Sequence, residues 1–159
     1  MRVDYYEVHP AAMRAMLGLE HAVHAGPLEP SLLELVKVRA SQLNGCAHCV
    51  EMHTKDARAG GESDDRLHLV AVWREAPVFS ERERAALAWA EELTLVAQTG
   101  ASDSAYEAVA AVFSDEELVA LTLAIVAING WNRFAVGFRA PVGNYVPRSE
   151  QPRPGPGRP

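Results

Sequence analysis

The chain has 159 residues, is 48% hydrophobic, and carries a formal net charge of -6 with a pI near 5.5. That length suits one domain with its own apolar core, so no staple is needed to hold it together. The acidic balance, without any basic stripe, excludes nucleic acid as the main partner, because phosphate binding rests on clustered Lys and Arg.

The first ten residues, MRVDYYEVHP, lack the basic flank and apolar run of a secretory signal, and residence in the cytoplasm is expected. From Pro10, a helix with a loosely apolar face of Met13, Met16, Leu17 and Leu19 runs to the Gly26-Pro27 stop, although Glu20 interrupts the face. A second helix is expected from Pro30 or Ser31 to Leu43, carrying Leu32, Leu35 and Val36, and Asn44-Gly45 marks a turn. A third follows over about residues 46–59 and ends at Gly60-Gly61, where glycine can take the left-handed conformation. A fourth spans about 64–74. Ser80 with Glu83, and Ser114 with Glu117, have capping-box spacing and start helices over about 81–98 and 115–137, with a short one near 103–111 between them. The fold class is therefore all-α: a single-domain bundle of about six to seven helices over residues 1–140.

Residues 118–128 are apolar on every face. Such a helix must be buried all round, which a domain this small achieves with difficulty, so a homo-oligomer with this run at a subunit interface is expected. The longest uncharged stretch, residues 118–132, contains two Asn and falls short of the ~20 residues that cross a bilayer, so no membrane partner is expected. Residues 141–159 hold six of the ten prolines and little to bury, and this tail is expected to be disordered or draped over a neighbour.

The two cysteines, Cys46 and Cys49, lie three apart, with His53 four residues beyond the second. On a helix all three share a face. The Asn44-Gly45 turn makes the second and third helices an antiparallel hairpin, and Glu34 lies about as far before the turn as His53 lies after it. A carboxylate would then orient an imidazole, the imidazole would take a thiol proton, and the second thiol could close a disulfide. Each residue also has a plainer explanation. Glu34 could complete a capping box with Ser31, the cysteines could simply pack, and His48 and His53 could be ordinary core or surface histidines. Two Cys, one His and one Glu also make an acceptable zinc set. Haem attachment would need His directly after Cys49, where Val50 stands, and a thioredoxin-type site would need a preceding strand.

Glu34, eleven intervening residues, Cys46-x-x-Cys49, three more and His53 reproduce, without gaps, the signature of the alkylhydroperoxidase D family in the carboxymuconolactone decarboxylase superfamily. His48, just before the second cysteine, also matches, and the resemblance covers residues 32–94 and 129–134. It implies an all-helical fold, a trimer or hexamer, and a peroxidase cycle with no cofactor and no metal. In that cycle Cys49 attacks a peroxide substrate and becomes a sulfenic acid. It then condenses with Cys46, and an unidentified dithiol reduces the disulfide. His53 and Glu34 form the proton relay and His48 is an accessory. The best-known members resemble a duplicated core, whereas this chain has one. The decarboxylase branch generally lacks the cysteine pair. A non-enzymatic zinc module and a decarboxylase-like enzyme therefore stand as alternatives.

Elementary physical chemistry gives a conflicting pair of arguments for the thiols. The helix start favours a thiolate on Cys46 by ~0.3–1 kcal/mol. A base one turn beyond Cys49 typically contributes ~10²–10⁴-fold in rate, which favours Cys49 as the attacker.

Overall fold

The computed structural model of the chain describes residues 1–147. Among them the regular elements are nine α-helices and one 3₁₀ turn, with no strand. The first is a single turn, α1 (Tyr5–Val8), whose N-cap Asp4 accepts from the Tyr6 and Glu7 amides. Next comes α2 (Pro10–His24), with Pro10 at the position where a missing N–H costs nothing. Then α3 (Pro30–Leu43) runs to the Asn44-Gly45 turn, where Gly45 adopts φ +64°. That conformation reverses the chain without a Cβ penalty and sends it into α4 (Ala47–Ala59). Gly60 is still right-handed at φ -79°, and the positive φ falls on Gly61, at +99°.

The segment expected as one helix over about 64–74 is divided into α5 (Asp64–Leu69) and a 3₁₀ turn, Val70–Val72. After the 3₁₀ turn, the guanidinium of Arg84 donates to the carbonyls of Trp73, Arg74 and Ala76, which no helix satisfies. Both capping boxes form, at the starts of α6 (Glu81–Thr94) and, further on, α9 (Asp115–Phe138). Between them lie the one-turn α7 (Val96–Thr99), offset from α6 at Leu95, and α8 (Asp103–Ala110).

The centre of the bundle is α3, buried on nearly every side through Leu32, Leu33, Leu35, Val36, Val38 and Ala40. One flank joins Val23, Leu33, Val36, Ala90, Leu121 and Ile125 in a core between α2, α6 and α9. The other joins Leu35, Val38, Leu67, Trp73, Phe79 and Leu87. Its C-terminal end meets a smaller cluster of Ala40, Cys46, Cys49, Ile128 and Ala135, which brings the thiols against α9. Glu91 on α6 fixes the angle of α3 by accepting from Arg39 at 2.7 Å and from the Trp73 indole at 2.8 Å.

Two expectations from periodicity are refined. Within the chain's own fold α9 is buried on one side only, by Leu118, Leu121, Ala124, Ile125, Ala127 and Ile128, while Val119 and Val126 are 70% and 55% exposed. Leu121 and Ile125 therefore belong to the core of one chain. Any partner would meet Val119 and Val126 instead. By length and composition α9 could cross a membrane, with a mean hydropathy of 1.4, but half of that apolar window is buried inside the fold, as in a core helix. The interruption at Glu20 is also explained: its carboxylate accepts at 2.9 Å from Lys37, which is only 1% exposed. A buried ammonium without such a partner would be very costly.

Residues 141–147 run along α4. The Lys55 ammonium donates to the Tyr145 carbonyl at 2.9 Å, the Gly143 amide to Glu51 at 2.6 Å, and the Tyr145 hydroxyl to Asp56 at 2.8 Å. The rest of the tail expected to be disordered or draped over a neighbour, 148–159, lies outside the described residues.

Candidate active site

The turn at Asn44-Gly45 leaves Cys46 as the N-cap of α4, where its sulfur accepts the Cys49 amide at 3.3 Å. Cys49 and His53 follow on the buried stripe of the same helix. The two sulfurs lie 2.6 Å apart, close enough to share a thiol proton. A disulfide needs about 2.05 Å, so only a small movement separates this pair from the oxidised form. Both residues are free cysteines and both are 1% exposed.

Glu34 does not cap its own helix. The N-cap position of α3 is Glu29, without a side-chain bond, and the Glu34 carboxylate lies 2.8 Å from His53 Nδ1 instead. A carboxylate can only accept, so Nδ1 carries the proton and donates it, which leaves Nε2 as the basic nitrogen. Burial alone would raise the Glu34 pKa. The hydrogen bond and charge of His53, with Lys37 and His24 nearby, outweigh it and hold the carboxyl below its usual value. Asp56, one turn beyond His53, is pushed the other way by burial and by the Glu34 charge, against the pull of its hydrogen bond from Tyr145.

The thiols are polarised in opposite directions. Cys46 is lowered to about 6 by the hydrogen bond from the Cys49 thiol, then, against burial, by the Cys49 amide, the charge of His48, and Asn132. Cys49 is pushed up by its bond to Cys46, by burial and by the charge on Cys46. These opposite shifts favour Cys46 over Cys49 as the thiolate of the pair. Among the described residues no hydrogen bond joins His53 to Cys49, although they lie one turn apart on the same face of α4. His48 also makes no bond to sulfur: its Nδ1 donates to the Pro141 carbonyl at 2.7 Å, and its influence on Cys46 is through charge.

Sequence reasoning missed three components. Asn132 on α9 is 1% exposed and donates to Ser41 Oγ at 3.1 Å. Asn44 orients it by donating to its carbonyl at 2.8 Å. Aromatic rings from the chain start cover the site: Tyr5 packs 5.4 Å from Phe134 and 5.7 Å from Phe138, and its hydroxyl is pushed up to about 12 by burial and by nearby Tyr6 and Cys49. The signal for the asparagines was present as two amides in an otherwise apolar run. Nothing local marked Tyr5. The four-ligand zinc set weighed from the sequence does not converge on one point. Among the described residues the side chains whose ligand atoms lie within 4.8 Å of one another are Glu34, His53 and Asp56, while the sulfurs face each other.

The fold and site define a class: an all-helical protein carrying a buried dithiol on a helical hairpin, beside a carboxylate-oriented histidine. Residues 10–92 match the model of the carboxymuconolactone decarboxylase family, and the chain belongs to that family. It is 38% identical over 135 residues to the uncharacterized protein YdfG of Bacillus subtilis (strain 168), covering 85% of this chain and 92% of that one. A crystal structure from Agrobacterium tumefaciens, of a protein of unknown function proposed as the antioxidant defence protein AhpD, superposes with a TM-score of 0.86 at 49% identity. The match covers 89% of this chain and 99% of that one. The AhpD core of a peroxidase-related protein from Ralstonia eutropha JMP134 shares the fold, with a TM-score of 0.77 at 22% identity over 87% of this chain and 74% of that one.

Proposed function

We propose that the protein is a thiol-dependent peroxidase that cycles Cys46 and Cys49 between dithiol and disulfide. The observation that carries this reading is the contact between the two sulfurs at the start of a helix, 2.6 Å apart and one turn from a buried, carboxylate-held imidazole. Cys49 gives its proton to His53 Nε2 and attacks the terminal oxygen of a peroxide. An S–O bond forms, the O–O bond breaks, and the alcohol leaves with the proton from His53. Glu34 keeps His53 in the tautomer that performs this transfer. The Cys46 thiolate then attacks the sulfur of the Cys49 sulfenic acid. The S–S bond forms and hydroxide leaves, to be protonated to water. An external dithiol returns two electrons and two protons. His48 assists by its charge beside Cys46.

The polarity of the pair fits these roles. A low-pKa Cys46 is already a thiolate when it must resolve the sulfenic acid, and it is the better leaving group when the dithiol attacks the disulfide at Cys49. The reading places the chain in the cytoplasm, where thiols are kept reduced, as a homo-oligomer whose contact includes Val119 and Val126. Steady-state consumption of an organic hydroperoxide, driven by a small dithiol, tests it. Turnover in the natural protein that disappears in Cys49→Ser supports the cycle. Equal turnover in both proteins removes it.

A further inference from the structure

We propose that residues 140–147 form a strap that closes the thiol pair against solvent and is latched to α4, with the Tyr145 hydroxyl on Asp56 as its last fastening. This rests on the reading of Cys46 and Cys49 as a working dithiol, whose sulfurs must each meet a partner from outside. Both are 1% exposed, so neither a peroxide nor a reducing dithiol reaches them in the closed fold. Thiol–disulfide exchange needs a free path for the attacking sulfur. Part of the cover therefore moves in each turnover.

Ala140, the first residue beyond the cap of α9, packs directly on the cluster that contains Cys46 and Cys49. Just before it Arg139 takes φ +56°, and the Ala140 amide donates to the Ala135 carbonyl at 2.9 Å, which turns the chain back onto α4. The Pro141 carbonyl then accepts from His48, which stands between the two cysteines in sequence, at 2.7 Å. Further along, the Gly143 amide donates to Glu51 at 2.6 Å, and the Tyr145 carbonyl accepts from Lys55 at 2.9 Å. The Tyr145 hydroxyl lies 2.8 Å from both oxygens of Asp56. Ligand atoms of Asp56, Glu34 and His53 lie within 4.8 Å of one another, so this fastening sits beside the proton relay.

The strap is held in a way that suits opening. Among the described residues, every hydrogen bond between 141–147 and α4 runs through an α4 side chain, and residues 141–144 are exposed. Lifting the strap breaks polar bonds that water can replace and leaves the packed helices intact, which is the kind of segment that opens locally. The other cover, α1, is held differently. It buries Tyr5 against Phe134 and Phe138, and the Arg2 amide donates to the Phe138 carbonyl at 2.7 Å. Moving α1 would put those rings in water, so the strap opens at the lower cost in free energy.

The test measures strap opening and thiol access together in the reduced, full-length chain. Access is the rate of Cys46 labelling by iodoacetamide, resolved by peptide mass mapping, and opening is the hydrogen exchange of the Gly143 amide, followed by NMR. Tyr145→Phe and Lys55→Met each remove a strap bond to a charged group. Each should speed labelling about tenfold and lower the protection of Gly143 by the same factor. Arg58→Ala, which breaks an ion pair with Asp64 elsewhere on α4, should change neither. The pH midpoint of labelling should stay at that of the natural protein, because the latch bonds touch neither sulfur. Faster exchange at Gly143 with unchanged labelling would mean that the strap lifts off a site that stays closed. Faster labelling with Gly143 unchanged, or with a shifted midpoint, would place the effect outside the strap, and unchanged values in both variants would deny the latch. Each of these results overturns the proposal. Neither readout uses peroxide, so a chain that labels as expected yet leaves peroxide intact removes the peroxidase reading and keeps the strap.

Discussion

Serine substitutions at the two cysteines separate their roles, because the structure sets two effects against each other. A Cys46 pKa of about 6 would make that residue roughly 90% thiolate at pH 7, against about 3% for an ordinary thiol near 8.5. This is an advantage of about 30-fold in the reactive form. Nucleophilicity falls with basicity along a slope of about 0.4–0.5, however, so lowering the pKa by about 2.5 units costs about 10- to 20-fold. The net benefit to Cys46 is only about twofold. A positioned base is worth ~10²–10⁴-fold, and in the proposed cycle that base is His53, acting on Cys49. The same substitutions also shift the surviving thiol. Cys49 loses the charged neighbour that pushes it up in Cys46→Ser, and Cys46 exchanges the thiol that lowers it for a hydroxyl in Cys49→Ser. Cys46→Ser should therefore consume about one equivalent of peroxide and hold a sulfenic acid on Cys49, detected by dimedone labelling and peptide mapping. Cys49→Ser should react at least ~100-fold more slowly. In the reduced natural protein iodoacetamide should instead label Cys46 first, with a rate that rises through a midpoint near 6. Dimedone on Cys46 in Cys49→Ser, formed at the natural rate, would refute the reasoning and give the attack to the helix-cap thiol.

His53→Gln and Glu34→Gln should each slow peroxide attack, His53→Gln by ~10²-fold or more, while leaving disulfide formation possible; stopped-flow tryptophan fluorescence would follow both. Val126→Asp should dissociate the expected homo-oligomer with the fold intact, whereas Leu121→Asp, at a fully buried core position, should unfold the chain. Light scattering with circular dichroism distinguishes these, and a folded monomer of the natural sequence at micromolar concentration would contradict the oligomer. Deleting residues 1–8 removes the Tyr5 and Tyr6 rings and should speed alkylation of Cys49; an unchanged rate would mean that access runs elsewhere. Tyr145→Phe removes the hydroxyl bonds to Asp56 and should lower stability by ~1 kcal/mol, a fall of ~2–4 °C in Tm by calorimetry.

What was legible in the sequence was what local chemistry decides. The Ser80 and Ser114 capping boxes, the Pro10 and Pro30 helix starts, and the Asn44-Gly45 reversal all depend on residues within one turn, and all stand where expected. The pairing of Glu34 with His53 followed from the hairpin, because antiparallel helices joined by a short turn bring equidistant positions together. The division of the 64–74 segment into α5 and a 3₁₀ turn was not legible, and neither was the capping of the carbonyls after it by Arg84, which lies on another helix. The burial of Lys37 was not legible either, because its partner Glu20 lies on another helix. The same holds for Asn132, whose contacts with Ser41 and Asn44 span about ninety residues. The all-round burial expected of residues 118–128 holds for one face only, while Val119 and Val126 on the other are exposed within the chain.

The central claim is that peroxide converts Cys46 and Cys49 into an intrachain disulfide, and intact mass spectrometry tests it most directly. After a small stoichiometric excess of organic hydroperoxide, the reduced protein should lose two hydrogens, about 2 Da, resist subsequent alkylation, and recover both with dithiothreitol. An unchanged mass with both thiols still open to alkylation would contradict the account.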